Sequence, residues 1–129
     1  MAGERKRRIL VVEDEALIAM DLERIVRSAG CEVLGPVGRA EEALRLAAEE
    51  RLDAAILDVR LRDSDCFAVA DALARRRVPF VFVTGSAPAA LPERFRGRPL
   101  IQKPYNAAKL AAMLGGKAAA ARGRGGKAS

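Results

Sequence analysis

The chain has 129 residues, half of them apolar, and a formal charge of +6, enough for one ordinary core and one domain. No apolar stretch approaches the roughly 18 residues needed to span a bilayer, and no long apolar region follows the start Met1-Ala2-Gly3-Glu4-Arg5-Lys6-Arg7-Arg8, so no signal peptide and a cytoplasmic location are expected. With no histidine, and with Cys31 and Cys66 lacking metal-ligand spacing, a zinc site and a histidine-based triad are excluded, and both cysteines read as reduced packing residues.

The charge is uneven: residues 1–8 carry +3, residues 115–129 carry +4, and 9–114 a net −1. The expected organisation is a basic arm over 1–7, one domain over 8–114, and a basic disordered tail over 115–129 with no apolar periodicity. A nucleic-acid role for the basic ends would need a basic folded face or aromatic stacking residues, and the sequence offers neither.

Ile9-Leu10-Val11-Val12 is a continuous apolar run ending at Glu13-Asp14, and reads as a strand buried on both faces. Ile18, Leu22, Ile25, Val26 and Ala29 recur at helical spacing, predicting a first helix over 16–29 that stops at Gly30. A short strand over 31–34 closes at Gly35-Pro36, and Ala40, Ala43, Leu44 and Ala47 mark a second helix through Glu50. Ala54-Ala55-Ile56-Leu57 leads to Asp58; Ser64 or Asp65 then caps a third helix whose inner face is Phe67, Ala70, Leu73 and Ala74. Val78-Pro79 opens the next strand, Phe80-Val81-Phe82-Val83, which ends at Thr84-Gly85.

There the alternation falters. Pro88, Pro92, Gly97 and Pro99 lie between Thr84 and Lys103, and a proline inside a helix costs about 3 kcal/mol, so no full helix is expected in that stretch. Leu100-Ile101-Gln102 is a short strand leading to Lys103-Pro104; Asn106 caps a last helix with Leu110, Met113 and Leu114 inward, ended by Gly115-Gly116. Repeated strand–helix units with short connections predict an α/β fold, a doubly wound parallel sheet with right-handed crossovers and helices on both faces.

Ligands bind at the carboxyl ends of the strands in such a sheet. Glu13, Asp14 and Asp58 would meet there, and their oxygens suit magnesium. Three carboxylates so close repel one another, by roughly 4 kcal/mol per pair near 4 Å at an effective dielectric of 20; a divalent cation and Lys103 would relieve this. An Asp58 oxygen could then attack an electrophilic phosphorus to give an acyl phosphate, with the Lys103 ammonium and the Thr84 hydroxyl on phosphoryl oxygens and Gly85 leaving room for the group. A phosphohydrolase of the haloacid dehalogenase type would have a second aspartate two residues after the first, where Arg60 stands.

Glu13-Asp14, Asp58, Thr84-Gly85 and Lys103-Pro104, in this order at strand ends, make the chain over residues 7–114 resemble a response-regulator receiver domain of two-component signalling. The resemblance implies a flavodoxin-like five-stranded sheet of order 2-1-3-4-5. It also implies magnesium-dependent transfer of a phosphoryl group from a kinase phosphohistidine to Asp58, the Arg60 backbone carbonyl as a metal ligand, and a cis Lys103-Pro104 peptide. The chain departs from the common pattern at Arg62 and Cys66, where many receivers have proline and glycine, and at Leu100, in place of the usual aromatic switch residue. Phe82-Val83-Thr84-Gly85 with the proline-rich gap is similar to the receiver subclass named for its Phe-Ala-Thr-Gly motif, whose fourth helix is short or mobile and whose kinases are often of the HWE or related families.

The expected function is a stand-alone phosphoacceptor with no enzymatic turnover of other molecules. Its partner is a sensor histidine kinase or phosphotransfer protein, there is no small-molecule substrate beyond phosphodonors and no membrane, and output is by protein contact or as a phosphate sink. The Arg60 and Ser86 side chains are expected to tune phosphate loss, and segment 86–98 to order on phosphorylation. The rival is a pseudo-receiver, an interaction module that is never phosphorylated.

Overall fold

The computed structural model describes residues 5–61, 64–85, 91–103 and 107–114. The apolar runs become parallel strands: β1 (Arg8–Val12), β2 (Glu32–Val37), β3 (Ala54–Asp58), β4 (Phe80–Thr84) and β5 (Leu100–Gln102). The stretches between them hold α1 (Ala16–Ser28), α2 (Ala40–Glu49) and α3 (Phe67–Arg75), and α4 (Ala107–Met113) follows β5. The sheet order is β2-β1-β3-β4-β5, all parallel, as the flavodoxin-like expectation has it.

Alternation along the strands divides the core in two. Ile9, Val11, Ile56, Val81, Val83 and Ile101 face α1 and α4, whereas Leu10, Val12, Leu57, Phe80 and Phe82 face α2 and α3. Period-two side-chain direction explains why strands apolar at every position are buried on both faces. On α1, Leu22, Ile25 and Val26 are buried, and Ile18 and Ala29 pack at the edge, as predicted.

Three details differ from the sequence expectations. β2 does not close at Gly35-Pro36; it runs through both residues, which are joined by a cis peptide, to Val37. Leu44 on α2 and Met113 on α4 point outward, at 37% and 38% exposure; each lies one step round its helix from the covered stripe. α3 buries Val69 and Ala72 along with Ala70 and Leu73, while Phe67 and Ala74 are half-buried. The N-cap position is Cys66, without a side-chain cap, and it is Asp65, one of the two expected residues, whose Oδ1 accepts the Phe67 N–H at 3.0 Å and satisfies one orphan donor of the first turn. The cap at Asn106, the Lys103-Pro104 peptide, segment 86–90 and the tail lie outside the described residues.

Among the described residues between β4 and β5 there is a single 3-10 turn, Glu93–Phe95, and no α-helix. Phe95 is the anchor of this stretch. Only 2% exposed, it stacks on Phe67 at 5.9 Å and meets Phe80 and Phe82 edge-on at 6.0 and 5.5 Å, so all four phenylalanines of the chain share one cluster. Arg94 adds a two-pronged clamp to Asp71 on α3, 2.9 Å to each oxygen, and its guanidinium lies 4.6 Å above the Phe95 ring. Phe95→Leu is expected to lower stability by about 1–2 kcal/mol through lost ring contacts and a partial cavity. Urea unfolding checks this, and an unchanged midpoint would show that the turn is not anchored through this ring.

Candidate functional site

β1 ends because the chain changes from apolar residues to Glu13, Asp14 and Glu15. The pairing nonetheless continues one step: the Glu13 N–H donates to the Val37 carbonyl at 2.9 Å. Glu13 then turns its side chain inward, fully covered, and its Oε2 accepts the Glu15 N–H at 3.0 Å. β3 delivers Asp58, 6% exposed, to the same edge. Oxygens of Glu13, Asp14 and Asp58 lie within 4.8 Å of one another, so the predicted trio does assemble.

Lys103 closes the group. The Thr84 carbonyl accepts the Lys103 N–H at 2.7 Å, which fixes where the lysine leaves β5. Its Nζ donates to Glu13 Oε1 at 3.2 Å and to Asp58 Oδ2 at 3.4 Å, bridging two carboxylates from different strands. Thr84 itself is buried at the end of β4, one step beyond Val83, the residue paired with Asp58. A Cβ built on Gly85 would meet no atom within 4 Å, so the space beside Thr84 is open.

Arg60 enters through its backbone. Its N–H donates to Asp58 Oδ1 at 3.2 Å, and an isolated bridge to Asp65 folds the loop back toward α3. Sequence reasoning named Arg60 for its carbonyl; no sequence signal marks a main-chain amide that holds the neighbouring carboxylate. Cys66, the residue departing from the usual glycine, is fully covered beneath this loop, and burial pushes its thiol well above its ordinary range. Cys31 is likewise buried and free.

The electrostatics follow from packing like charges together. Burial first, and then the adjacent Asp58, raise the Glu13 carboxyl to about 7, against the opposing pull of the Glu15 amide and Lys103. Burial acts to lower the Lys103 ammonium, but Asp58 and Glu13 outweigh it and hold its pKa above the ordinary value. A Glu13 pKa raised on folding means the unfolded chain binds fewer protons there between about pH 4.5 and 7. Metal-free stability should therefore fall as pH rises through that window, by on the order of 3 kcal/mol from this group. Urea midpoints in a chelator across that range check it. A Glu13→Gln variant with the wild-type pH slope would show the assignment to be wrong.

The donor set is all oxygen and lies within 4.8 Å, and it suits a hard cation rather than zinc. Among the described residues no helix is long and apolar enough to cross a membrane.

Comparison with known proteins gives the chain a family. The family model described as response regulator receiver domain matches residues 9–115. The phyllosphere-induced regulator PhyR of Methylorubrum extorquens is 39% identical over 123 residues, covering 88% of this chain and 44% of PhyR, so the chain spans less than half the length of that relative. The solution structure of SdrG from Sphingomonas melonis Fr1 is 43% identical with a TM-score of 0.75, covering 88% of this chain and 95% of SdrG. The receiver domain of the sensor histidine kinase PA1611 from Pseudomonas aeruginosa, with a magnesium ion coordinated in its active site cleft, is 27% identical with a TM-score of 0.71, covering 85% of this chain and 95% of that one. The chain belongs to the response regulator receiver domain family of two-component signalling.

Proposed function

We propose that Asp58 accepts a phosphoryl group from the phosphohistidine of a sensor histidine kinase, of the HWE or a related family, or of a phosphotransfer protein. The supporting observation is the Asp58 carboxylate itself, buried at a strand end, held by the Arg60 amide and Lys103, and within 4.8 Å of two further carboxylates. Glu13 and Asp58 are buried and Asp14 is half-buried beside them, an arrangement of like charges that a cation would relieve.

Glu13, Asp14 and Asp58 are the residues that would hold magnesium, with the Arg60 carbonyl as the fourth protein ligand. When bound, the ion supplies positive charge against the phosphoryl oxygens and the three carboxylates. The protein's part is positioning. The Arg60 N–H occupies Asp58 Oδ1 and Lys103 reaches Oδ2, so the carboxylate is fixed in rotation before a donor arrives. An Asp58 oxygen forms a bond to phosphorus as the phosphorus–nitrogen bond of the donor breaks, and the imidazole leaves with the electron pair and takes up a proton. Lys103 then places its ammonium on a phosphoryl oxygen, and the Thr84 hydroxyl donates to another.

Chemistry on other molecules is not part of this reading; the chain takes up and slowly loses its own phosphoryl group. Output passes through protein contact or by draining phosphate from a kinase. The domain boundaries at 8–114, with basic segments on either side, belong to the same proposal. The test is incubation of the full chain with a phosphohistidine donor and magnesium, followed by intact mass. A gain of one phosphoryl group, lost in hydroxylamine, is expected. An unmodified wild type would favour a pseudo-receiver that keeps the fold for binding alone.

A further inference from the structure

Asp14 begins no strand or helix; it sits between β1 and the first turn of α1, so something outside its own element must set its position. The main chain after β2 packs against it at Gly38. β2 carries one residue more than β1 across their last paired steps: Leu10 pairs with Leu34, but Val12 pairs with Val37. The extra residue is accommodated at Gly35, whose φ is +98°; a Cβ there would lie 2.7 Å from the Val37 nitrogen and 2.9 Å from the Val11 carbonyl, so only glycine fits. Beyond the bulge, the Val37 carbonyl takes the Glu13 N–H at 2.9 Å, and the next residue, Gly38, is laid against Asp14.

Gly38 is half-buried, and its φ is outside the left-handed region, so its backbone does not itself demand glycine. The demand comes from space: a Cβ at Gly38 would stand 3.0 Å from Asp14 Cα, 3.1 Å from Asp14 Cβ and 3.5 Å from the Glu13 carbonyl oxygen. The two closest contacts are with the acidic residue of the trio that is least covered, and both are tighter than ordinary carbon–carbon contact at about 3.5–4.0 Å. Glu13 cannot yield easily, because its amide, its carboxylate and Lys103 are all engaged. The 3.5 Å contact with the Glu13 carbonyl is an ordinary one, so the tight contacts of an added methyl group are both with Asp14.

We infer that Gly38 is a positioning residue for the cation site: its missing side chain lets Asp14 stand where its carboxylate joins Glu13 and Asp58. Magnesium tolerates little departure from octahedral geometry, and groups that orient a metal ligand typically change affinity 10- to 100-fold when altered. The inference rests on the reading of the acidic trio as a magnesium site.

The test compares the full-length wild type with Gly38→Ala and Gly30→Ala. Gly30, with a φ of +86° and no atom within 4 Å of a built Cβ, lies after α1 at the opposite edge of the sheet. Magnesium affinity is read by NMR titration of backbone amides, and metal-free stability by urea unfolding. Gly38→Ala is expected to bind magnesium about 10-fold more weakly, to shift the Asp14 amide before any metal is added, and to unfold near the wild-type midpoint. Gly30→Ala should do the reverse, losing stability from the strained φ and keeping its affinity. Equal affinity in Gly38→Ala and wild type would overturn the inference. So would a Gly38→Ala protein that loses stability or fails to fold, because the added Cβ would then have displaced the β2–α2 chain rather than Asp14. A wild type that takes up no magnesium would instead sink the reading of the site.

Discussion

Asp58→Asn should take up no phosphoryl group from any donor, and in a chelator at about pH 8 it should unfold at a higher urea concentration than the wild type. The two effects have one cause. The amide keeps the size of the carboxylate and can still accept the Arg60 N–H that Asp58 Oδ1 takes at 3.2 Å, but it is no nucleophile toward phosphorus. It also removes the like charge that helps raise the Glu13 carboxyl to about 7, so Glu13 ionises at lower cost and the metal-free fold gains about 1–2 kcal/mol. Intact mass after donor treatment and paired urea curves check both halves. A phosphorylated Asn variant would move the acceptor elsewhere; a loss of stability would mean that Asp58 is held chiefly for the fold.

Lys103→Met should slow phosphoryl uptake roughly 100- to 1,000-fold, the usual cost of losing one preorganised charge at the reacting group. Metal affinity should not fall with it. Lys103 is a fixed cation bridging Glu13 and Asp58 at 3.2 and 3.4 Å, so its removal leaves the carboxylates more negative and magnesium should bind at least as tightly. The split between rate and affinity identifies the residue as acting on the phosphoryl group rather than on the ion. Lys103→Arg should recover part of the rate, since the charge remains while the planar fork fits a single-point contact poorly. A wild-type rate in Lys103→Met at saturating magnesium would remove Lys103 from the reaction.

The anchoring of the β4–β5 connection bears on how the site communicates. Leu100 stands where an aromatic switch is common in the family, and it packs against the α2–α3 side of the core. Phe95, from the stretch where prolines prevent a helix, fills that side from above and touches Phe82, two residues before Thr84.

The sequence by itself determined the sheet, the placement of four helices, and the acidic trio with Lys103. Continuous apolar runs ending in carboxylates leave few other ways to bury the strands, and parallel strands send those ends to one edge. The proline spacing likewise excluded a helix between β4 and β5 among the described residues. Tertiary structure alone decided three things. It extended β2 through Gly35-Pro36, because pairing with β1 outweighed the local turn signal. It turned Leu44 and Met113 outward, because helix rotation is set by the whole covered stripe rather than by each apolar residue. It also brought a main-chain amide at Arg60 against the Asp58 carboxylate and an empty Cβ position at Gly38 against Asp14 Cα and Cβ. Backbone amides and missing side chains leave no mark in a residue pattern, since their effect exists only once a distant segment has packed beside them.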